Sequence, residues 1–252
     1  MAGRELMHEA PDEQKALRRL FDRSRAVLLD FDGPVADLFG TASTAPVARQ
    51  IKDAVRDVWG ALDPDVESCE DSHDILRRIR DMFERPTPVP RSRVALARAE
   101  AIVTRHEHAA VKSAVPAPHI RELVRSLVDL GLRLVIVSNN SDGPIREYLE
   151  SHGLRSEFEA VLGRDPHELR HMKPDPDSLL RAVNHFRLPA SACVVVGDQL
   201  SDLEASQAAG TLFIGYTRSA ERAATMRKRG ADWVVSSHRP LISAARQPSP
   251  AN

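Results

Sequence analysis

Five short apolar runs constrain the fold of this chain more than any other feature. They are rich in β-branched residues and apolar throughout, apart from one closing aspartate: Ala26–Asp30, Leu134–Val137, Cys193–Val196, Leu212–Ile214 and Trp233–Val235. Continuous runs of this kind are typical of strands that are buried on both faces of a parallel sheet. Amphipathic stretches with helical spacing, such as those around Leu123 and Val183, lie between the later runs. The pattern predicts an α/β fold with a Rossmann-like, doubly wound parallel sheet.

The interval after the first run breaks this alternation. Roughly eighty residues follow Asp32 without a convincing strand, and turn-rich segments at 60–64 and 86–90 divide them into predicted helices at 46–59, 72–84 and 92–108. We therefore expect an α-helical cap, residues 39–111, inserted into a discontinuous α/β core of residues 1–38 and 112–246. A further amphipathic helix is predicted at 12–23, and residues 247–252 are expected to form a flexible tail.

Composition excludes several classes of protein. The 252 residues are 42% hydrophobic and 28% charged, with a net charge of −1, so there is no basic excess for binding nucleic acid. No apolar run approaches the roughly 20 residues of a membrane-spanning helix, and the N-terminus lacks the apolar core of a signal peptide. Cys69 and Cys193 are too few for a disulfide framework. We expect a cytoplasmic protein without a membrane or nucleic-acid partner.

Acidic residues follow the first and third runs. Asp30 and Asp32 lie two apart at a predicted strand end, so an extended chain directs both carboxylates to one side. Asp198 and Asp202 follow the third run. In open α/β sheets the ligand binds outside the carboxyl ends of the strands, where these groups would meet. Four carboxylates without paired cysteines suit a hard divalent cation such as Mg²⁺.

Uncharged and basic groups accompany the acids. Ser138 and Asn139 follow the second run, and Lys173 lies in a loop before the third. A lysine and a hydroxyl beside a metal and a carboxylate indicate a phosphoryl-transfer site. Each residue also has a plain structural interpretation. Asp30 alone is an ordinary turn former, Lys173 alone a solvated lysine, and the Ser201-x-x-Glu204 spacing a helix capping box that would make Asp202 a first-turn acid.

Four segments, in order along the chain, resemble the motifs of the haloacid dehalogenase superfamily of phosphohydrolases. They are Asp30-Phe-Asp-Gly, Ser138, Lys173-Pro-Asp-Pro, and the stretch from Gly197 to Gly210 that carries two aspartates. The resemblance covers about residues 24–235, although within the helical insert it is one of kind and position only. An ordered set of four motifs is far more specific than a lone Asp-x-Asp pair.

The resemblance implies a role for each matching residue. Asp30 would be the nucleophile that forms an aspartyl-phosphate, and Asp32 the general acid and then the general base. Mg²⁺ would be held by Asp30, Asp198 and the backbone carbonyl of Asp32, with Asp202 supporting the site. The phosphoryl group would be bound by Ser138, Asn139 and Lys173. The implied function is hydrolysis of a small phosphorylated metabolite by a Mg²⁺-dependent phosphatase.

Two positions depart from the family pattern. Pro34 stands where threonine is usual after the first motif, which removes a hydroxyl and a backbone donor. Leu38 replaces a serine that is common a few residues later, so the polar contacts near the cap hinge differ. We expect Pro34 to be tolerated with an altered entry to the cap.

Substrate choice is expected to lie with the cap. Its candidates are the arginines of one predicted helix, which suit either a second anionic group of the substrate or a solvated face: Arg77, Arg78, Arg80 and Arg85. Lys52 raises a phosphonate-cleaving alternative through a Schiff base, and a phosphomutase is also open.

Functions of other classes are less consistent with the motif order. A phospho-accepting receiver places its acidic pair before the accepting aspartate, whereas Asp-x-Asp comes first here. A non-catalytic binding scaffold would be expected to lose Asp30 or Asp32, and the chain keeps both. Oligomeric state leaves no mark in the sequence.

Overall fold

A computed structural model describes residues 11–40 and 42–248. Its main sheet runs in the spatial order β5–β4–β1–β6–β7–β8, and every pairing is parallel. Its strands are β1 (Ala26–Leu29), β4 (Arg133–Val137), β5 (Ala160–Leu162), β6 (Cys193–Gly197), β7 (Leu212–Tyr216) and β8 (Trp233–Val235). The strand order reverses between β1 and β6, as in a doubly wound sheet. The predicted α/β fold class is therefore confirmed.

Helices cover both faces of this sheet. They are α1 (Pro11–Arg23), α6 (Ile120–Asp129), α7 (Asp142–Ser151), α8 (Asp177–Phe186), α9 (Leu200–Ala209), α10 (Ala220–Lys228) and α11 (Arg239–Arg246). Val27 and Leu29 of β1 belong to an apolar cluster with α1, α6, α7 and α11. Ala26 and Leu28 belong to the opposite cluster, with α8, α9 and α10. The continuous apolar run of β1 is thus explained, since both faces of the strand are buried.

Among the described residues, four helices lie between β1 and α6. They are α2 (Ala45–Trp59), α3 (Pro64–Glu67), α4 (Asp74–Glu84) and α5 (Val94–Val111). Their apolar faces pack into a cluster of their own that includes Ile51, Leu76 and Val103. Leu169 and Met172, from the segment before α8, complete this cluster. We call these four helices the helical insert.

A two-stranded ribbon, which the sequence did not predict, stands where the chain leaves the sheet and returns to it. β2 (Ala36–Asp37) pairs antiparallel with β3 (Val115–Pro116). Strands of two residues are too short to give an alternating pattern, so no sequence signal marks them. The ribbon brings the two connections of the helical insert side by side.

Two further details differ from expectation. The strand β5, which pairs with β4, was not predicted, because its three residues are too few to form a recognisable apolar run. The capping box of α9 is formed by Gln199 and Asp202 rather than by Ser201 and Glu204. The helix therefore begins one residue before Ser201, at Leu200.

The ends of the chain fall partly outside the described residues. The side-chain amide of Gln247 donates to Gln14 of α1 at 2.7 Å. Residues 1–10 and 249–252, which include most of the predicted tail, lie outside the described part of the chain. Within it, none of the helices is both long enough and apolar enough to cross a lipid bilayer.

Candidate active site

The residues predicted from the motifs line one cavity at the carboxyl edge of the sheet. Its volume is about 570 Å³. Residues that follow β1, β4 and β6 contribute to it, together with the loop before α8. All seven predicted site residues lie on its wall: Asp30, Asp32, Ser138, Asn139, Lys173, Asp198 and Asp202. The strand order explains this convergence, because β4, β1 and β6 are neighbours.

A buried lysine lies between two buried carboxylates. The Nζ of Lys173 is 3.0 Å from Asp30 Oδ1 and 2.5 Å from Asp202 Oδ1. Burial alone would lower the pKa of Lys173, but the carboxylates of Asp202 and Asp30 raise it above its ordinary value. Burial raises the pKa of Asp30 to about 6, although Lys173 opposes this change. The lysine is therefore a fixed positive charge beside the acid at the end of β1.

The carboxylates outnumber the cations at this point. Oxygen atoms of Asp30, Asp198 and Asp202 lie within 4.8 Å of one another. Burial, followed by repulsion from Asp202, Asp30 and Asp32, raises the pKa of Asp198 to about 8. Such a rise means that a further positive charge at this position would be stabilising.

The chain leaves room beside this carboxylate cluster. Gly33 has φ = +99°, and a Cβ added there would lie 2.8 Å from Cγ of Asp198. Only glycine takes this conformation readily and allows the turn to approach the carboxylate so closely. The donor set is entirely oxygen, which is the set that hard divalent cations prefer. The residues present thus fit a divalent metal.

Asp32 is not one of the three carboxylates of this cluster. Its Oδ1 accepts a hydrogen bond from the backbone N–H of Leu38 at 2.8 Å. Burial raises the pKa of Asp32, and the Leu38 hydrogen bond opposes the rise. Leu38 therefore contributes through its backbone, while its side chain is buried among apolar residues. The two aspartates of the first motif consequently have different surroundings.

The polar residues after β4 form a local network. Ser138 Oγ donates to Asn140 Oδ1 at 3.1 Å and accepts from the Asn140 backbone N–H at 3.2 Å. The side-chain amide of Asn139 donates to the Lys173 carbonyl at 3.0 Å and accepts from the Lys173 N–H at 2.8 Å. The Asn139 side chain thus braces the backbone that carries Lys173.

A family model decides the affiliation of the chain. The model for haloacid dehalogenase-like hydrolases matches residues 24–210. The chain belongs to this family. The resemblance inferred from four motifs is confirmed at this level, as is the expectation of a hydrolase.

Individual relatives agree with the family. A phosphoglycolate phosphatase of Neisseria gonorrhoeae is 34% identical over 102 residues, which make up 40% of this chain and 42% of that protein. One of Nitrosospira multiformis is 26% identical over 208 residues, 74% of this chain and 80% of that protein. The crystal structure of CbbY from Rhodobacter sphaeroides in complex with phosphate gives a TM-score of 0.56 at 21% identity, covering 85% of this chain and 94% of that one. The match spans less than half of the Neisseria protein, and the structural likeness shows a shared fold.

Several cavity residues of this haloacid dehalogenase-like hydrolase were missed by sequence reasoning. Five come from the helical insert or its entry: Phe39, Thr44, Asp71, His73 and Asp74. Arg222 of α10 reaches the cavity from the core, with Nη1 3.6 Å from Asp198 Oδ2. No motif marks these positions, because their place depends on how the insert packs over the sheet.

The cap candidates separate into one cavity residue and three others. Arg77 lines the cavity and pairs with Asp74. The other arginines of its group, Arg78, Arg80 and Arg85, do not line it among the described residues. Arg78 also pairs with Asp74, whereas Arg80 and Arg85 have acidic partners away from the cavity. Lys52 donates to the Glu67 carbonyl at 2.6 Å and is absent from the described cavity wall. The phosphonate-cleaving alternative therefore lacks its lysine.

A buried ionic network joins the helical insert to the sheet, and the sequence did not predict it. The fully buried guanidinium of Arg164, just after β5, lies 2.7 Å from Glu100 and 2.8 Å from Glu107. Both acids belong to α5. Arg164 also donates to Ser141 Oγ at 2.7 Å. Burial alone would raise the pKa of Glu107, but Arg164 and His73 lower it by more, so the pKa lies below its ordinary value.

Proposed function

We propose that this protein is a Mg²⁺-dependent phosphatase that hydrolyses a small phosphorylated metabolite through an aspartyl-phosphate intermediate. The observation that carries the proposal is the position of Asp30. Its carboxylate lines a cavity, 3.0 Å from the buried ammonium of Lys173 and beside the carboxylates of Asp198 and Asp202. A nucleophile, a fixed cation and a set of metal ligands at one point suit phosphoryl transfer.

Two steps account for hydrolysis. In the first, an oxygen of Asp30 forms a bond to phosphorus while the bond from phosphorus to the ester oxygen breaks, and Asp32 gives its proton to the departing oxygen. In the second, Asp32 takes a proton from water as the water oxygen bonds to phosphorus, and the bond to Asp30 breaks. The products are an alcohol and inorganic phosphate. The raised pKa of Asp32 favours a carboxyl that can hold a proton before the first step.

The remaining residues hold the phosphoryl group and the metal. Lys173 neutralises part of the phosphoryl charge, and Ser138 donates a hydrogen bond to it. Asn139 supports this pair through the Lys173 backbone and through its own backbone N–H. Mg²⁺, held by Asp30, Asp198 and the backbone carbonyl of Asp32, would lower the negative charge that the nucleophile and the phosphoryl group place together. Asp202 holds Lys173 in place.

The helical insert acts as the cap over this site. Residues 39–111 form the cap in this proposal, and residues 1–38 and 112–246 form the core. The cap wall supplies His73 and Arg77 to the cavity, so closure would exclude water and select the leaving group. A cytoplasmic location and a soluble small-molecule substrate complete the proposal.

Phosphoglycolate is the first substrate to test, because the curated relatives described above are phosphoglycolate phosphatases. Phosphate release is measured for phosphoglycolate, sugar phosphates and a chromogenic aryl phosphate, with Mg²⁺ and with a chelator. The proposal predicts turnover of at least one ester that stops when Mg²⁺ is removed. A folded, Mg²⁺-loaded protein that releases phosphate from none of them would contradict the proposal and favour a binding scaffold.

A further inference from the structure

His73 and Glu107 form a hydrogen-bonded pair on the cap side of the cavity. His73 immediately precedes α4, and its Nε2 lies 2.9 Å from Glu107 Oε1. Glu107 is fully buried, whereas the His73 side chain is 20% exposed and lines the cavity. Neither residue belongs to a motif of the family. The pair therefore places a titratable ring next to the substrate position without an assigned purpose.

Contacts from the core determine which atom of the pair carries the hydrogen. Glu107 is paired with Arg164 at 2.8 Å and accepts the backbone N–H of Ser141 at 3.0 Å. Burial opposes ionisation of Glu107, but Arg164 and His73 bring its pKa below the ordinary value, so the carboxylate stays charged. An ionised carboxylate only accepts hydrogen bonds. His73 Nε2 is consequently the donor, and Asn140 Nδ2 donates to Glu107 Oε1 at 3.3 Å instead of to the ring.

The other ring nitrogen remains available. Among the described residues, Nδ1 of His73 has no hydrogen-bond partner. Since Nε2 donates to Glu107, Nδ1 can act as an acceptor toward the cavity. His73 lines the same cavity as Asp32, and its ring lies 6.1 Å from that of Phe39, the residue after the Leu38 that donates to Asp32. Asp32 is the residue that would protonate the departing ester oxygen, so His73 stands on the leaving-group side.

The neighbouring cap residues favour a neutral partner for Nδ1. Asp71 and Asp74 line the same wall. Asp74 is paired with both Arg77 and Arg78, whereas Asp71 has no arginine partner among the described residues and would repel a carboxylate. A hydroxyl group can donate to Nδ1 without this repulsion. The wall therefore suits an alcohol better than an acid.

We propose that His73 binds the leaving-group part of the substrate by accepting a hydrogen bond from one of its hydroxyl groups at Nδ1, and that Glu107 is the residue that positions His73. The substrate class is a phosphate monoester whose alcohol carries a further hydroxyl. This inference rests on the proposed phosphatase function for the placing of the phosphoryl group. It assigns a specificity role to the cap that the motifs do not contain.

The test compares three phosphate esters of equal chain length. Glycerol 1-phosphate carries two further hydroxyls, and 3-phosphooxypropanoate carries a carboxylate. The third ester, n-propyl phosphate, has no further polar group. For each, kcat/KM is measured by phosphate release with Mg²⁺, and Kd by titration calorimetry. We expect the native protein to prefer glycerol 1-phosphate over n-propyl phosphate. His73→Ala should reduce this preference about tenfold, the factor that corresponds to one hydrogen bond of common strength, so turnover of glycerol 1-phosphate should fall more than turnover of n-propyl phosphate.

Two further variants separate positioning from general damage. Glu107→Gln should lower the same preference, chiefly through KM, because the ring loses its charged acceptor but the catalytic aspartates are untouched. His108→Ala is the matched control. His108 also belongs to α5, pairs with Glu147 at 2.8 Å on the exposed surface and is absent from the described cavity wall, so its removal should leave the preference unchanged. If Glu107→Gln does not fold, His73→Ala still decides the result.

Three outcomes would overturn the inference. They are an unchanged preference in His73→Ala, an equal loss for all three esters, and a preference of the native protein for the carboxylate ester that His73→Ala abolishes. Failure of the phosphatase proposal has a different signature. In that case the native protein releases no phosphate from any ester, and the calorimetric Kd values alone test His73: tighter binding of glycerol 1-phosphate that is lost in His73→Ala supports the inference, and equal binding overturns it.

Discussion

At the scale of single residues, Lys173 offsets charge that the fold has buried around it. Replacement by methionine would leave Asp30 and Asp202 without this cation in a buried site. We expect Lys173→Met to lower the free energy of unfolding by about 3–5 kcal/mol, the usual cost of removing one partner from a buried ion pair. Urea unfolding at neutral pH measures this loss. Lys228→Met, at an exposed position of α10, is the control, and an equal effect of the two substitutions would contradict the account.

Gly33→Ala tests the fit between the first motif and the proposed metal ligands. Gly33→Ala would place a Cβ 2.8 Å from Cγ of Asp198, in addition to the strain of a positive φ. Gly60→Ala shares a positive φ, of +82°, but meets nothing within 4 Å. Both variants should lose about 1–2 kcal/mol of stability from strain, but only Gly33→Ala should weaken Mg²⁺ activation, by about tenfold or more. Equal Mg²⁺ titrations for the two variants would show that Gly33 does not shape the site.

Sequence reasoning located the candidate site residues that follow strands and missed most cavity residues of the helical insert. The residues that directly follow strands were predictable, because the carboxyl ends of parallel strands meet at one edge of the sheet: Asp30, Ser138 and Asp198. His73 and Arg222 were not, because each lies on a helix or loop whose position depends on packing between distant segments. Arg77 was one of four candidates, and nothing in the sequence distinguishes it from Arg78.

At the scale of secondary-structure elements, Arg164 ties α5 to the loops that follow β4 and β5. Its guanidinium has no exposed surface and contacts Glu100, Glu107 and Ser141. Arg164→Met should cost about 3–5 kcal/mol of stability, since two buried carboxylates lose their cation. Arg146→Met, which breaks an exposed pair with Asp142 on α7, should cost less than about 1 kcal/mol.

A double-mutant cycle checks that this loss arises from the ion pair. Glu100→Gln removes one of the two acids that pair with Arg164. In the native protein, Glu100 Oε2 lies 2.7 Å from Arg164 Nε. If the network is the cause, the double variant should be more stable than the sum of the two single losses predicts. Strict additivity in urea unfolding would contradict the assignment.

Strands and helices with a long apolar pattern could be predicted from the sequence, and the shortest ones could not. The runs that became β1, β4, β6, β7 and β8 were recognised, and the three long helices of the insert were placed to within about three residues. β2, β3 and β5 contain two or three residues each and give no period. The capping box of α9 was misplaced because Ser201 and Glu204 have the right spacing but already lie inside the helix.

At the scale of the whole molecule, acid should weaken the fold through His238. Its ring is fully buried, stacks on Tyr216, and donates from Nδ1 to the Pro118 carbonyl at 2.9 Å. Burial lowers the pKa of His238 from 6.5 to about 4, although the hydrogen bond to Pro118 opposes the change. Between these values the unfolded chain binds more protons, so the free energy of unfolding falls as the pH drops from 6.5 to 4.

The size of this effect is about 3 kcal/mol. Because the raised pKa values of Asp30 and Asp198 contribute with the opposite sign, it is measured as the difference between the native protein and His238→Gln in the change of unfolding free energy from pH 7 to pH 4 in urea. His238→Gln lacks the titrating ring and should lose less stability over this range than the native protein, whereas His185→Gln, at an exposed side chain, should behave as the native protein does. Identical pH dependence in the native protein and in His238→Gln would contradict the assignment.

The order of strands is what unites the motifs into one site. Segments as far apart as Asp30 and Asp202 meet because β1 lies between β4 and β6. Doubly wound topology is implied by alternating strands and helices, so this convergence could be expected from the sequence. The position of the helical insert over the sheet could not be predicted from the sequence, because it depends on tertiary contacts such as those of Arg164.

Formation of a phosphoryl bond to Asp30 is the central claim, and mass spectrometry of acid-quenched protein tests it most directly. Native protein is mixed with Mg²⁺ and excess substrate and quenched during turnover, and peptides are then analysed. The account predicts an added phosphoryl group on Asp30 in the native protein, and none in Asp30→Asn, which should also release no phosphate. Phosphate release by Asp30→Asn at a rate near that of the native protein, or a phosphoryl group on another residue, would contradict it.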